Sequence, residues 1–271
     1  MSRRLVDYLT KNNIISPSQY SFRSGRSTSD AVHDLSNSIK TNLDRGQKVI
    51  GIFLDLAKAF DTVSVPILIE KIKRLGIRGT PLRLFEDYLS ERTQCVRVDE
   101  FISEERIVTY GVAQGSVIGP TLFLIYINDL GLLTLPNGKV ITFADDTALL
   151  FNADTWSDAY KHAQSGFNVV SDWLRNNILT LNATKTQYVT FSITHKTAPN
   201  LPMPHSIIAH SCPSPHNVTC SCVHLQKADA VKYLGVIMDS RLRFHEHISY
   251  IYPQWQDAQT NLRLQEPKAS G

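Results

Sequence analysis

The sequence has few cysteines, little net charge and no long unbroken apolar run. Its 271 residues include four cysteines, a density far below that of small secreted domains held by disulfides. Lys and Arg number 28 against 25 Asp and Glu, so net charge neither requires nor excludes a nucleic-acid partner. Hydrophobic residues are 42% and charged residues 20%. This composition excludes a disordered tail, a collagen-like rod and a coiled coil.

The sequence also lacks a targeting or membrane-spanning pattern. Residues 1–13 contain an arginine pair but no apolar segment behind it, unlike a signal peptide. The uncharged stretch 107–128 is long enough to span a bilayer but contains Gln114, Ser116 and Pro120, which favours a buried helix over a membrane span. We therefore expect an intracellular protein with reduced thiols and no membrane partner, in either the cytoplasm or the nucleus.

Hydrophobic periodicity predicts strands and helices in an α+β arrangement, because several strands follow one another through hairpins. We expect helices near 29–46, 66–76, 82–89, 121–130 and 156–176. Strands are expected at 49–55, 140–143 and 147–151, with hairpins over 93–112 and 231–239 and a strand pair formed by 179–181 and 188–193. Five prolines predict a loop insertion near 195–226, and the polar stretch after residue 247 predicts a frayed tail.

Three carboxylates occur where burial is expected. Asp55 ends an apolar strand, and Asp145 and Asp146 form a turn between two apolar strands. Adjacent carboxylates beside a core are costly unless a positive charge compensates them. Hard oxygen ligands select Mg²⁺ or Mn²⁺, and three carboxylates can hold two metals about 4 Å apart for in-line phosphoryl transfer. The alternative is that Asp-Asp is simply a turn dipeptide.

Five segments decide between these interpretations. They read FRSGRST at 22–28, FLDLAKAFDTV at 53–63, GVAQGSVIGPTLFLIYINDL at 111–130, FADDT at 143–147, and LNATKT with YLGV between 181 and 239. In this order they resemble the motifs of reverse transcriptases from non-LTR retrotransposons of the jockey-like or LINE-like kind. The resemblance covers nearly the whole chain.

The resemblance implies a right-hand polymerase fold, a palm with partial fingers and a truncated thumb. We expect partial fingers over 1–48 and a palm over 49–248, the palm carrying a fingers hairpin near 77–110 and the insertion near 195–226. Residues 249–271 would be a vestigial thumb or tail. A fingers segment that precedes the first motif in the family is not expected here.

The resemblance also implies roles for individual residues. Asp55, Asp145 and Asp146 would be the catalytic, metal-binding triad for two Mg²⁺ or Mn²⁺ ions, with help from the Leu56 carbonyl. Phe60 would lie under the sugar and exclude a 2′-hydroxyl; the alternative is a core residue.

Further residues would bind the nucleotide and the template. Gln114 and Gly115 would line the dNTP pocket, with glycine allowing close backbone approach. Lys185 would neutralise or protonate pyrophosphate, or would be a solvated lysine. Arg23 and Arg26 would contact template phosphates or hold the fingers loop. Asp61 and Asp129, also in the motifs, are expected to cap or orient neighbouring backbone.

The function implied is an RNA-directed DNA polymerase that adds dNTPs to a primer 3′ end, with an RNA template and a DNA primer as partners. The alternative is a catalytically inactive truncated retroelement fragment, acting at most as a nucleic-acid-binding module. Intact carboxylates favour the first, and incomplete fingers and thumb favour the second. A two-metal nuclease would fit the carboxylates but would not explain Gln114, Gly115 or Phe60. The sequence does not indicate an oligomeric state.

A cluster of cysteine and histidine lies in the proline-rich insertion. Cys212, His216, Cys220 and Cys222 suggest structural zinc, but their spacing matches no standard zinc motif. We expect a loop rather than a zinc site.

Overall fold

The structure is a computed structural model that describes residues 2–113, 115–192, 206–210 and 222–265, with side chains up to residue 256. Seven α-helices are found in these ranges: α1 Ser2–Lys11, α2 Thr28–Asp44, α3 Val65–Arg74, α4 Thr80–Leu89, α5 Gly119–Ile127, α6 Trp156–Asn176 and α7 His245–Gln265. A 3₁₀ helix, Asn128–Leu132, continues α5. None of the described helices is both long enough and apolar enough to cross a bilayer.

The described strands fall into one main sheet and four small pairs. The main sheet has five strands in the order β11, β8, β1, β7, β6, with bounds β1 Lys48–Leu54, β6 Gly138–Phe143, β7 Asp146–Ala153, β8 Gln187–Phe191 and β11 Gln226–Lys227. The small pairs join β2 Thr93–Gln94 to β5 Arg106–Ile107, β3 Arg97–Val98 to β4 Phe101–Ile102, β9 Ile208–Ala209 to β10 Val223–His224, and β12 Ala230–Tyr233 to β13 Val236–Asp239.

The central strand β1 pairs on both sides and is buried on both faces. It runs antiparallel to β7 and to β8. Ile50, Ile52 and Leu54 pack into one hydrophobic cluster, while Val49 and Phe53 pack into a second. The uniformly apolar sequence of β1 follows from this burial, since side chains alternate between the two faces of a sheet.

Helices cover the two faces of the sheet. The cluster with Ile50 includes residues of α1, α3, α5 and α6, and the cluster with Val49 includes residues of α2 and of the β12–β13 pair. Two helices begin at polar caps: the Ser27 and Thr155 side chains accept from the backbone N–H groups of Asp30 and Asp158. Such caps satisfy amides that the first helical turn leaves unpaired.

The β2–β5 segment forms a narrow antiparallel ribbon, residues 93–107. Its two ladders each contain two residue pairs, and all its described residues are exposed. The hairpin predicted over 93–112 therefore ends earlier, at Ile107. The residues after the ribbon return to the body of the protein instead of extending the ladder.

Most predicted helices and strands are confirmed within a few residues, but three predictions were wrong. Residues 179–181 do not pair with β8; Leu181 forms an isolated antiparallel bridge with Leu56 instead. The stretch after residue 247 is helical up to Gln265. The insertion near 195–226 is not all loop in its described part: β9 and β10 pair there, and Ile207 and Leu225 are buried.

Candidate active site

The three carboxylates of the sequence prediction lie at one end of the main sheet. Leu54 of β1 pairs with Thr147 of β7, so the next position in this register sets Asp55 opposite Asp146. Asp145 precedes Asp146 in the turn between β6 and β7. Two strands that are distant in sequence thus bring the carboxylates together because their backbones are neighbours in the sheet.

The β6–β7 turn is tight and strained. Phe143 pairs with Asp146, which leaves Ala144 and Asp145 as its two central residues. Ala144 has a φ of 56°, in the left-handed region that costs a residue with a Cβ about 1–2 kcal/mol. This two-residue turn sets the position from which both carboxylates project.

Two buried polar residues hold this turn, and sequence reasoning did not find them. The backbone N–H of Ala144 donates to Ser21 Oγ at 2.8 Å and to Gln19 Oε1 at 3.2 Å. Both Gln19 and Ser21 are 1% exposed. Local sequence patterns do not indicate this contact, because Gln19 and Ser21 lie 125 and 123 positions from Ala144.

The three carboxylates affect each other electrostatically. Desolvation by neighbouring atoms, followed by the charges of Asp145 and Asp55, raises the pKa of Asp146 above its ordinary value. Asp146 keeps one side open to solvent, so the packed atoms around it remove only part of its water. Repulsion of this kind is relieved by a nearby cation.

The donor chemistry of these carboxylates fits divalent metals. In the described part of the chain, no group of three or more His, Cys, Asp or Glu side chains is already arranged around a metal position. The three carboxylates nonetheless supply hard oxygen ligands and an uncompensated negative charge, which Mg²⁺ and Mn²⁺ prefer. They fit the metals by charge and ligand type.

The backbone around Asp55 is held on its other side by the segment after α6. Asp55 N–H donates to Thr186 Oγ1 at 3.2 Å, and Asn182 N–H donates to the Asp55 carbonyl at 2.8 Å. The bridge of Leu56 with Leu181 is flanked by the Asn182–Asp55 bond and by a bond from Ala57 N–H to the Thr180 carbonyl, so the Leu56 carbonyl points away from Leu181. Lys185 is exposed and directly precedes Thr186, the residue that accepts from the Asp55 backbone.

Phe60 lies at the edge of the hydrophobic core. It is partly buried and stacks on Phe123, with ring centroids 4.0 Å apart. The Phe60 carbonyl accepts from Val112 N–H at 3.0 Å, and a Cβ on Gly111 would lie 2.9 Å from the Asp61 carbonyl oxygen. The second and third motifs are therefore in backbone contact, and both interpretations of Phe60 remain compatible with its half-buried position.

The remaining nucleotide-pocket prediction concerns a loop that is only partly described. Gln114 lies outside the described residues. Gly115 is exposed and has a φ of 78°, a conformation natural to glycine. Beyond it, Ser116 Oγ accepts from Gly119 N–H at 3.0 Å and donates to the Ala113 carbonyl, which ties the loop to the start of α5.

The two arginines contact the loop that carries them. Arg23 donates from one guanidinium nitrogen to the carbonyls of Ser16 and Gln19. Arg26 lies over the Tyr20 ring, 4.8 Å from its centroid. These contacts support the loop-holding alternative, and a template contact stays a prediction.

Asp129, also in the motifs, binds away from the carboxylates. It pairs with Lys71 Nζ at 2.6 Å, and its predicted role of capping or orienting backbone stays a prediction. Among the four residues of the zinc hypothesis, Cys212, His216 and Cys220 lie outside the described residues. A loop rather than a zinc site therefore stays a prediction.

Comparison with known families shows the family to which the chain belongs. Residues 1–238 match the family described as reverse transcriptase (RNA-dependent DNA polymerase). The chain belongs to the reverse transcriptase family.

Individual relatives place it among the non-LTR retrotransposon enzymes. The chain is 30% identical over 257 residues to a probable RNA-directed DNA polymerase from transposon BS of Drosophila melanogaster, covering 92% of this chain and 26% of that protein. It is 30% identical over 242 residues to the RNA-directed DNA polymerase from mobile element jockey of the same species, covering 86% of this chain and 24% of that protein. This reverse transcriptase domain spans about a quarter of the length of these relatives.

Solved structures support the polymerase fold. Telomerase from Candida albicans, in complex with a fragment of telomeric RNA, aligns over 89% of this chain and 38% of that one, with a TM-score of 0.57 and 14% identity. Apo telomerase from Candida tropicalis, truncated from its C-terminal domain, aligns with a TM-score of 0.53 and 12% identity, over 89% of this chain and 43% of that one. The α+β, right-hand polymerase assignment is thereby confirmed.

Proposed function

We propose that this chain is the domain that carries out RNA-directed DNA synthesis, adding dNTPs to the 3′ end of a DNA primer on an RNA template. The observation that supports this most is the meeting of Asp55 with Asp145 and Asp146 at the end of the sheet. Desolvation and the charges of Asp145 and Asp55 raise the pKa of Asp146, as expected for a site that binds cations for phosphoryl transfer.

The carboxylates are proposed to hold two Mg²⁺ or Mn²⁺ ions. Asp55 and Asp145 are the main ligands, with Asp146 nearer the primer end and the Leu56 carbonyl assisting. When bound, such ions activate the attacking hydroxyl and neutralise the leaving pyrophosphate. The protein contributes the fixed turn and the anchored strand end, which set where those oxygens lie.

The nucleotide is proposed to lie over Phe60. Stacking on Phe123 fixes the ring, so Phe60 acts as a rigid floor that excludes a 2′-hydroxyl by size. Gln114 and Gly115 line the pocket from the adjoining loop. Exposed Lys185 supplies positive charge for the pyrophosphate.

The division of the chain is part of the same proposal. Residues 1–48 contribute to the fingers, 49–248 form the palm, and 249–271 continue into the thumb region. Arg23 and Arg26 shape the fingers loop and can add template phosphate contacts through their guanidinium N–H groups.

Primer extension tests the proposal. Purified protein with poly(rA)/oligo(dT), dTTP and Mg²⁺ is expected to extend the primer, and Asp145→Asn is expected to reduce extension by about 100-fold or more, since one essential ligand loses its charge. The matched control is Asp172→Asn on α6, whose exposed carboxylate pairs with Arg175. Equal activity in the two variants would contradict the triad assignment.

A second assay distinguishes the polymerase from a binding module. Folded protein that binds a primer–template in a salt-dependent way but never extends it would support the nucleic-acid-binding alternative.

Phe60→Val is expected to raise incorporation of UTP relative to dTTP. Unchanged sugar discrimination would assign Phe60 to the core.

A further inference from the structure

We propose that Gln19 and Ser21 are positioning residues for catalysis: they clamp the backbone of Ala144 and thereby fix Asp145 and Asp146 against Asp55. The catalytic part of this inference rests on the proposed polymerase function. The clamp itself is a feature of the fold and can be tested without activity.

The clamp begins with a short strand-like pairing at the edge of the sheet. Tyr20 N–H donates to the Thr142 carbonyl at 2.9 Å, and Thr142 N–H donates to the Ser18 carbonyl at 2.9 Å. Gln19 and Thr142 form a parallel bridge. Residues 18–20 therefore run beside β6 and lead directly to the turn that follows it.

Next to this pairing, the side chains of Gln19 and Ser21 both reach the backbone N–H of Ala144. Ser21 donates to Gln19 Oε1 from both its backbone nitrogen and its hydroxyl, each at 2.9 Å. Gln19 Oε1 and Ser21 Oγ in turn both accept from Ala144 N–H. Three donors thus converge on one amide oxygen, which fixes which way the Gln19 side chain points.

The other end of the Gln19 amide shows that the oxygen is the useful atom. Gln19 Nε2 is buried and has no hydrogen-bond partner among the described residues. A buried donor without a partner destabilises the fold. A glutamine at this position is therefore explained by the hydrogen bonds that its side-chain oxygen accepts. The bond that reaches outside its own loop is the one donated by Ala144 N–H.

The turn needs this support because Ala144 is left-handed. Its φ of 56° is unfavourable for alanine, and the next two residues carry the carboxylates. Without the clamp, Ala144 would relax toward an ordinary conformation and shift Asp145 and Asp146 relative to Asp55. Misplacement of catalytic groups by about 1 Å can cost about 100-fold in rate.

Amide hydrogen exchange tests the clamp directly. In Ser21→Ala the Ala144 amide is expected to exchange at least about tenfold faster than in the wild type, because its shorter hydrogen bond is lost. Gln19→Met, which keeps the volume but removes the acceptor, is expected to act in the same direction. Ser165→Ala is the matched control, because Ser165 is exposed on α6. An Ala144 amide that exchanges at the wild-type rate in both clamp variants would overturn the proposal.

A double variant separates positioning from general destabilisation. Glycine adopts positive φ without strain, so in an Ala144→Gly background the turn keeps its shape without the clamp. Ser21→Ala is expected to lower kcat several-fold in the wild-type background with little change in the KM for dTTP, and to lower it much less in the Ala144→Gly background. An equal loss of kcat in the two backgrounds would indicate a merely structural role and would contradict the proposal.

The two proposals fail differently. If the wild-type chain does not extend a primer, the polymerase proposal fails, and the exchange rate of Ala144 alone decides the clamp. If the wild type extends primers but the Ser21 variant leaves Ala144 exchange unchanged, the polymerase proposal stands and the clamp is wrong.

Discussion

Phe151 and Phe101 are the same residue type in two β-structures with very different surroundings. Phe151 in β7 is fully buried, whereas 82% of Phe101 in the ribbon is exposed. Strand β7 pairs with β1 over seven residues, but each ladder of the ribbon has two residue pairs. Sequence propensity forms strands in both regions. Only the sheet, with long-range partners and helices on both faces, provides the rigidity that a catalytic turn requires.

The ribbon is attached mainly at its base. Val108 N–H donates to the Arg92 carbonyl at 2.7 Å, and the Arg92 side chain donates to the Gly111 carbonyl at 3.0 Å. The ribbon is therefore anchored beside the loop that contacts Phe60, while its tip contributes little to the core. Changes at the tip and changes at the base are expected to have different consequences.

The largest expected effect is the difference in stability loss between two truncations, one of a phenylalanine in the sheet and one of a phenylalanine in the ribbon. Phe151→Ala should reduce the free energy of unfolding by about 3–5 kcal/mol, because a buried ring leaves a cavity. Phe101→Ala should change it by less than about 0.5 kcal/mol. Urea unfolding of both variants measures the contrast, and a comparable loss from Phe101→Ala would show that the ribbon tip is packed in solution.

The next effect tests the base of the ribbon. Gly111 has a φ of 87° and no room for a Cβ against the Asp61 backbone, so Gly111→Ala should cost about 2–4 kcal/mol through strain and overlap. Gly46→Ala is the matched control: its φ is 79° but no atom lies within 4 Å of an added Cβ, so about 1 kcal/mol is expected. Thermal unfolding compares them, and equal losses would remove the close-contact argument.

A smaller effect concerns the loop that connects β13 to α7, in which one carboxylate accepts several backbone hydrogen bonds. Asp239 accepts from the backbone N–H groups of Arg241, Arg243 and Phe244, the last at 2.6 Å. Burial acts to raise the pKa of Asp239, but these backbone hydrogen bonds outweigh it and the pKa is lowered. The folded state therefore favours the ionised carboxylate.

Asp239→Asn should therefore destabilise the protein by about 1 kcal/mol at neutral pH. Because the folded pKa lies below the unfolded one, this stabilisation is present above the unfolded value and is lost as pH falls through the folded value. Urea unfolding at pH 7 and at about pH 3 should show the variant and wild type converging in acid. A difference independent of pH would assign the effect to shape rather than charge.

The smallest expected effect lies within the ribbon. Val96 N–H donates to Ser103 Oγ at 2.9 Å at an exposed position, where water can replace the hydroxyl. Ser103→Ala should change the free energy of unfolding by less than about 0.5 kcal/mol while it speeds exchange of the Val96 amide. A larger loss of stability would mean that the ribbon is coupled to the global fold.

Sequence patterns predicted the parts of the fold that local chemistry decides. The apolar runs around Ala144, Asp145 and Asp146 predicted a strand, a turn and a strand, and the structure confirms them as β6 and β7. Because motif order linked Asp55 to this turn, the carboxylate group was predictable before its geometry was known.

Long-range pairing was not predictable in the same way. Leu181 bridges Leu56 rather than β8, and β11 joins β8 as a parallel strand across a proline-rich segment; neither pairing has a local signal. Gln19 acts through its side-chain oxygen on an amide 125 positions away. Such a role leaves only a polar residue at a buried position as a trace in the sequence.

The central position of β1 has a consequence for how the chain folds during synthesis. Residues 48–54 are synthesised before both of their partners, which lie at 147–153 and 187–191. Until the ribosome has added both of these distant segments, both edges of this apolar strand remain unpaired. Slow, nonlocal assembly of this kind exposes a nascent chain to aggregation, so we expect its yield in cells to depend on chaperones that shield residues 48–54 until both neighbours arrive.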